Sequence, residues 1–214
     1  TSPPPKTVKQ IRGWIGAYRQ VSETIKDHAI TLSLLEKETA GKKSREEIKW
    51  SPTLVNSCEE AKQSLLKSQS ITIPKPSDTL HIYPDFSETA NAVGGHLIIE
   101  RTQNGVTTRK NGGFFSVRLD PSQSRWTPCE KEALGIKLNI EHFKPLITES
   151  NNTTIIHPDN VITVHAWNRL KRGIISTSSK VAAFLSSLSE NNIDIKHCPG
   201  VDTKVEDYGS RHHQ

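Results

Sequence analysis

The sequence contains no methionine and only three cysteines among its 214 residues. Because translation begins with methionine, we expect the chain to be a piece of a longer protein or a processed product of a polyprotein. Cys58, Cys129 and Cys198 are odd in number and lack CxxC spacing. This usage is typical of thiols in a reducing compartment, and it disfavours both a disulfide framework and a zinc site.

Long apolar runs are missing as well. No stretch approaches the roughly 20 apolar residues that a membrane helix needs, and no signal peptide is recognisable. We therefore expect no membrane partner. The 214 residues suit one large domain or two small ones, with enough chain to bury a core.

Charge is present in quantity and unevenly placed. The formal net charge is +5 and the pI is about 9.1, which permits nucleic acid as a partner. Residues 1–78 contain 13 Lys and Arg and 9 Asp and Glu. Residues 79–214 contain 15 Lys and Arg and 14 Asp and Glu. The second part therefore concentrates carboxylates, and a chain that binds polyanions typically keeps such a concentration for a metal.

Three helices are predicted before residue 74. Apolar residues recur at helical spacing from Lys6 to about Ile25 and again over Ala29–Glu38. A third helix is predicted to start at Ser51-Pro52, with a serine N-cap and a proline in its first position. The proline-containing linker Ile73–Asp78 marks the boundary between a small helical segment, 1–73, and a second domain, 74–214.

Strands dominate the start of the second domain. The stretch Thr79–Ile99 contains two runs with β periodicity. The turn Gln103-Asn104-Gly105 then predicts a hairpin leading into a third strand over Thr107–Val117. Thr127, Pro128 and Glu130 form a capping box that opens a long helix. Further elements are predicted over Thr154–His157 (strand), Val164–Arg172 and Ser178–Asn191 (helices) and Ile193–His197 (strand).

Four carboxylates fall at boundaries of these elements. Asp85 lies near the end of the first strand, Glu132 in the first turn of the long helix, and Asp159 after the fourth strand; Asp207 lies in the terminal segment. A single acid at such a position is usually a solvated turn residue. Four of them in this order could converge, and clustered carboxylates are the ligands that Mg²⁺ prefers.

The order of elements and the motifs around the carboxylates resemble the RNase H domain of retroelement reverse transcriptases. The similarity extends to the gypsy-like LTR retrotransposon polyproteins of animals, and residues 1–75 resemble the end of the polymerase thumb or connection segment that precedes the RNase H domain. The motifs read YPDFS at 83–87, PCEKEAL at 128–134, HPDN at 157–160 and DYGSR at 207–211.

The resemblance implies an α/β fold, with an RNase H-like mixed five-stranded sheet and flanking helices after the small helical segment. It implies a hydrolase: a ribonuclease H that cuts the RNA strand of RNA–DNA hybrids endonucleolytically with two Mg²⁺ (or Mn²⁺) ions. Asp85, Glu132, Asp159 and Asp207 would be its metal ligands, and His197 would assist product release or proton transfer.

The resemblance also implies partners and a location. The RNA–DNA hybrid would be the nucleic-acid substrate, and the fingers, palm and integrase of the polyprotein would be the protein partners. The location would be intracellular, in the cytoplasm or in virus-like particles. The sequence has no YxDD pair of polymerase aspartates, so DNA synthesis is not expected of this fragment.

Two departures from the family pattern keep an alternative open. Pro84 and Pro158 stand directly before Asp85 and Asp159, where the family commonly has Thr. Proline removes a ladder N–H and is disfavoured inside a central strand. The alternative function is a catalytically inactive RNase H-fold relic, or a connection-like module that binds nucleic acid or has a structural role.

Overall fold

A computed structural model of the chain describes residues 5–174, 178–189 and 191–197. Three helices form the N-terminal part: α1 (Val8–Gln20), α2 (His28–Thr39) and α3 (Pro52–Leu66). Thr7 and Gln10 form a capping box at the start of α1, and Ser51 caps α3 with Pro52 in the first position. All three predicted helices are confirmed.

The three helices bury a core of their own. Each contributes one apolar stripe, as the helical spacing of the sequence predicts. The fully buried members include Val8, Ile11 and Tyr18 of α1, Leu32 and Leu35 of α2, and Ala61 of α3. Trp14 and Trp50 pack against the margin of this core.

A mixed five-stranded sheet forms the second part, in the order β3-β2-β1-β4-β5. Its strands are β1 (Thr79–Ser87), β2 (Ala92–Gln103), β3 (Val106–Arg118), β4 (Thr154–Ile156) and β5 (Ile193–Ile195). The pairs β1–β2 and β2–β3 are antiparallel, whereas β1–β4 and β4–β5 are parallel. The mixed five-stranded sheet that the resemblance implies is therefore confirmed.

The hairpin between β2 and β3 follows from its turn residues. Asn104 has φ 52° and Gly105 has φ 76°, and both values lie in the left-handed region that an Asn-Gly turn adopts. Pairing of Gln103 with Val106 closes the turn. The predicted hairpin is therefore confirmed, with β3 beginning one residue before the predicted Thr107.

Three helices accompany the sheet: α4 (Pro128–Glu149), α5 (Val161–Lys171) and α6 (Ser179–Ser186). Thr127 and Glu130 form the predicted capping box of α4. Helix α5 starts three residues before the predicted Val164, because Asn160 caps it by accepting the Ile162 N–H at 2.8 Å. Leu80, Ile82, Leu97, Ala133, Ile136, Ile140, Trp167 and Leu185 are among the residues of the core between these helices and the sheet.

Helix α4 approaches the sheet closely because glycines line the contact. The Asn139 side chain is fully buried and donates to the backbone carbonyls of Gly94 (2.9 Å) and Gly135 (2.8 Å). A Cβ atom at Gly95 would stand 1.6 Å from the Asn139 Oδ1 atom. One at Gly135 would stand 2.6 Å from Val93. Side chains at these two positions would force the helix away from the sheet.

The helical segment docks onto edge strand β3. The buried Asn111 of β3 donates its side-chain amide N–H to the Ser70 carbonyl at 3.0 Å, and its backbone carbonyl accepts the Thr72 N–H at 2.7 Å. At the start of α2, the Ala29 N–H donates to the Ser116 hydroxyl at 3.3 Å. These bonds attach the helices and the linker to the sheet.

A buried ion pair fixes the start of β1. Arg101 donates to both carboxylate oxygens of Asp78, at 2.9 and 2.7 Å. Burial would raise the pKa of Asp78, but hydrogen bonds from Arg101 and from the Lys75 N–H outweigh it and hold that pKa below its usual value. The predicted linker thus ends in a fixed contact with β2.

Within the described residues, no helix is long and apolar enough to cross a membrane.

The glycine contacts predict opposite effects for one substitution at two positions. Gly95→Ala should destabilise the fold by at least about 2 kcal/mol, since the added Cβ overlaps buried Asn139. Gly16→Ala on α1 is the matched control. A Cβ at Gly16 meets nothing within 4 Å, so this change should stabilise the fold by about 0.5–1 kcal/mol. Urea unfolding measures both, and equal values for the two variants would contradict the described packing.

Candidate functional site at the strand ends

The carboxyl ends of β1 and β4 meet at one edge of the sheet. The two strands are parallel, and Ile82 pairs with Ile156. Asp85 lies three residues beyond Ile82, and Asp159 lies three residues beyond Ile156. Since parallel neighbours end at the same edge, the backbone brings these two predicted site residues to the same end of the sheet.

Pro84 ends the parallel pairing between β1 and β4. The Ile82 carbonyl faces β4 and accepts the His157 N–H at 2.9 Å. Residue 84 faces the same side because backbone groups alternate along a strand. A proline there has no N–H to extend the ladder. Pairing with β2 continues instead, with Pro84 opposite Gly95.

Pro158 is buried and lies two residues beyond the last residue of β4. Neither proline therefore occupies the final residue of its strand. Pro84 is accommodated because its nitrogen faces β4, on the side where the ladder stops after Ile82. Pro158 removes no sheet hydrogen bond, since it stands outside the sheet.

The two glutamates in the first turns of α4 have different roles, as the sequence predicts. Glu130 accepts the Thr127 N–H at 2.9 Å and completes the capping box. Glu132 instead reaches the start of α5. Its Oε1 accepts the Asn160 N–H at 3.1 Å, and its Oε2 accepts the Thr163 hydroxyl at 2.7 Å.

Glu132 and Asp159 are neighbours. Asp159 is exposed and directly precedes Asn160, which Glu132 contacts. Burial is the main cause that raises the pKa of Glu132, and the negative charge of Asp159 raises it further; the hydrogen bonds from Thr163 and Asn160 lower it in part. A half-buried carboxylate thus lies beside an exposed one.

Asp85 has a different neighbour. Leu80 and Ile82 of β1 pack in the core with α4, so the alternation of the strand places Asp85 on the opposite face. There it approaches Asp27, the N-cap residue of α2. The pKa of Asp27 is raised chiefly by burial; Lys26 lowers it, and the charge of Asp85 raises it again.

The remaining predicted site residues lie at or beyond the end of the described chain. His197 is exposed and follows β5 by two residues. Asp207 lies outside the described residues. We call Asp85, Glu132 and Asp159 the strand-end carboxylates.

The donor chemistry of the strand-end carboxylates fits Mg²⁺, which prefers oxygen ligands. Each oxygen of Glu132 accepts one hydrogen bond and retains a further lone pair. Across residues 5–174, 178–189 and 191–197, no group of three or more His, Cys, Asp and Glu side chains is placed to hold one metal ion. Of the expected metal ligands in that part of the chain, the fold brings Glu132 and Asp159 together.

A second polar cluster adjoins the site on the face of the sheet opposite α4, and sequence reasoning missed it. His81 Nδ1 lies 2.9 Å from His157 Nε2, and the His157 ring stacks on Tyr83 with centroids 4.6 Å apart. Arg109 donates to the Tyr83 hydroxyl. Burial is the main cause that lowers the pKa of His157 to about 4, and His81, Arg109 and Lys196 add to the effect.

Asn160, Thr163 and Asp27 were also missed. Asn160 had a sequence signal, since an Asn directly before an apolar stretch is typical of a helix N-cap. Asp27 had none, because its approach to Asp85 depends on how α2 docks onto β3. The His81–His157 pair likewise joins residues far apart in the chain.

Comparison with known proteins shows what the chain is similar to. Residues 50–155 match the family model of the RNase H-like domain found in reverse transcriptase. The matched range includes Asp85 and Glu132 and ends before Asp159. The retrovirus-related Pol polyprotein from transposon opus of Drosophila melanogaster is 21% identical over 217 residues, covering 98% of this chain and 20% of the relative.

Solved structures show the same fold. The foamy viral protease-reverse transcriptase dRH in complex with double-stranded DNA superposes with a TM-score of 0.72 at 12% identity, over 95% of this chain and 34% of that one. The foamy viral protease-reverse transcriptase in complex with an RNA/DNA hybrid superposes with a TM-score of 0.71 at 13% identity, over 95% of this chain and 26% of that one. The chain thus spans about a fifth of the curated relative and about a third and a quarter of these two structures.

The depressed pKa of His157 predicts acid sensitivity. A histidine whose folded pKa of about 4 lies below its usual 6.5 stabilises the fold above pH 6.5 and loses that contribution as the pH falls toward 4. His157→Phe keeps an aromatic ring for Tyr83 and cannot titrate. Its free energy of unfolding should therefore fall less than that of the parent between pH 7.5 and 4.5. Equal losses, measured by urea unfolding at both pH values, would contradict the assignment.

Proposed function

Because the chain carries the RNase H-like domain found in reverse transcriptases, we propose that it is the ribonuclease H part of a retrotransposon polyprotein. It cleaves the RNA strand of RNA–DNA hybrids with a divalent cation, Mg²⁺ or Mn²⁺. The observation that carries the proposal is the meeting of β1, β4 and the start of α4 at one sheet edge. There Glu132 contacts the residue after Asp159, and Asp85 lies near the carboxyl end of the neighbouring strand β1.

The strand-end carboxylates are the proposed metal ligands, together with Asp207. Bound divalent ions supply activation of the attacking water and stabilisation of charge on the leaving oxygen. The protein's own contribution is to position the ligands. Asn160 and Thr163 hold Glu132 from two sides, and Glu132 in turn holds the turn that carries exposed Asp159.

An RNA–DNA hybrid is the proposed substrate, since the basic excess of the helical segment suits a polyanion. One structural neighbour is described in complex with such a hybrid, which supports the choice. The proposed protein partners are the remaining parts of a Pol polyprotein, including fingers, palm and integrase. In support, the chain spans 20% of the Drosophila relative.

A hybrid-binding module without nuclease activity is the second candidate. It is favoured by the position of Asp85, whose side chain faces Asp27 rather than Glu132. Pro84 also shortens the parallel pairing at the site. The two candidates differ in cleavage and agree in binding, so the same substrate separates them.

The proposed nuclease predicts that Asp159→Asn abolishes cleavage, with a rate at least about 100-fold lower, because the exposed carboxylate is lost from the ligand set. Glu130→Gln is the matched control. Glutamine also completes a capping box, so this variant should cleave within about threefold of the parent. The assay follows an end-labelled hybrid with Mg²⁺ and with a chelator.

Binding of the hybrid is measured in parallel by fluorescence anisotropy. Asp159→Asn should retain affinity within a few fold, since the fold is unchanged. A parent protein that binds the hybrid tightly and cuts nothing at any Mg²⁺ or Mn²⁺ concentration would refute the nuclease and leave the binding module.

A further inference from the structure

Thr163 is buried without any exposed surface and lies in the first turn of α5. Its hydroxyl is 2.7 Å from Glu132 Oε2. An ionised carboxylate can only accept hydrogen bonds, so Thr163 must be the donor. A buried hydroxyl and a half-buried carboxylate each need such a partner, because leaving either unpaired is costly.

The second oxygen of Glu132 is held as well. Oε1 accepts the backbone N–H of Asn160 at 3.1 Å. Two donors on different oxygens fix the plane of a carboxylate, which one donor leaves free to rotate. Asn160 is the N-cap of α5 and Thr163 its third residue, so Glu132 is attached to the rigid start of a helix.

The attachment couples the two neighbouring carboxylates. Asp159 immediately precedes Asn160, and its backbone position depends on the cap that Glu132 contacts. A Glu132 side chain that lost Thr163 could rotate away and release the Asn160 N–H. The distance between the Glu132 and Asp159 carboxylates would then no longer be fixed.

We propose that Thr163 is a positioning residue of the strand-end site. It holds Glu132 so that the carboxylate of Glu132 stays at a fixed distance from the carboxylate of Asp159. The inference rests on the proposed function in one respect: it takes the Glu132–Asp159 pair to bind a divalent cation. Thr163 itself contacts neither the cation nor the substrate. Groups that orient metal ligands in this way commonly affect metal affinity about 10–100-fold.

The test compares Thr163→Val with Thr163→Ser and Thr154→Val in the full chain. Valine matches threonine in size and lacks the hydroxyl, whereas serine keeps it. Thr154 in β4 is equally buried, and its hydroxyl makes no hydrogen bond in the described part of the chain, so Thr154→Val is a control for loss of a buried hydroxyl. Should Thr163→Val fail to fold, Thr163→Cys replaces it as a weak donor of similar size.

Two readouts are measured: the exchange rate of the Asn160 amide proton by NMR, and the affinity for Mg²⁺ by calorimetry without nucleic acid. Thr163→Val should exchange Asn160 at least about tenfold faster and bind Mg²⁺ about 10–100-fold more weakly. Thr163→Ser and Thr154→Val should stay within threefold of the parent. Thr163→Val values equal to those of Thr154→Val in both readouts would overturn the proposal.

The readouts also separate this inference from the proposed function. A parent protein that binds no Mg²⁺ counts against the proposed nuclease. The Asn160 exchange rates still decide whether Thr163 positions Glu132, because they require no metal.

Discussion

The contact between Asn139 and the Gly94-Gly95 pair sets how closely α4 approaches the sheet. Asn139 fills the space that a side chain at Gly95 would need and donates to the carbonyl of Gly94. Glu132 lies seven residues earlier, two turns along the same face of the helix. The close approach therefore helps to position Glu132, which meets the start of α5 just beyond β4.

Each side of the strand end receives a carboxylate pair. On the α4 side, Glu132 lies beside Asp159 and is held by α5. On the other face, Asp85 lies beside Asp27 of the docked helical segment. Like charges this close favour cations between them and disfavour an empty pair. The arrangement thus links the docking of the helices on β3 to the charge at the site.

Much of the fold could be predicted from local signals. The Thr127-Pro128-Glu130 box fixed the start of α4, and Asn104-Gly105 fixed the β2–β3 hairpin, because these residues act on their immediate backbone. The neighbours of the strand-end carboxylates could not be predicted. Asp85 meets Asp27 only after α2 docks, and the effect of Pro84 depends on which side of β1 carries β4.

The central claim is that the Glu132–Asp159 pair binds a divalent cation, and Mn²⁺ titration of the ¹⁵N-labelled protein tests it most directly. Paramagnetic broadening falls steeply with distance from the ion. The account predicts early broadening of the amide signals of Glu132, Asp159 and Asn160, reversed by excess Mg²⁺. Broadening confined to His81 and His157, or broadening that Mg²⁺ does not reverse, would contradict it.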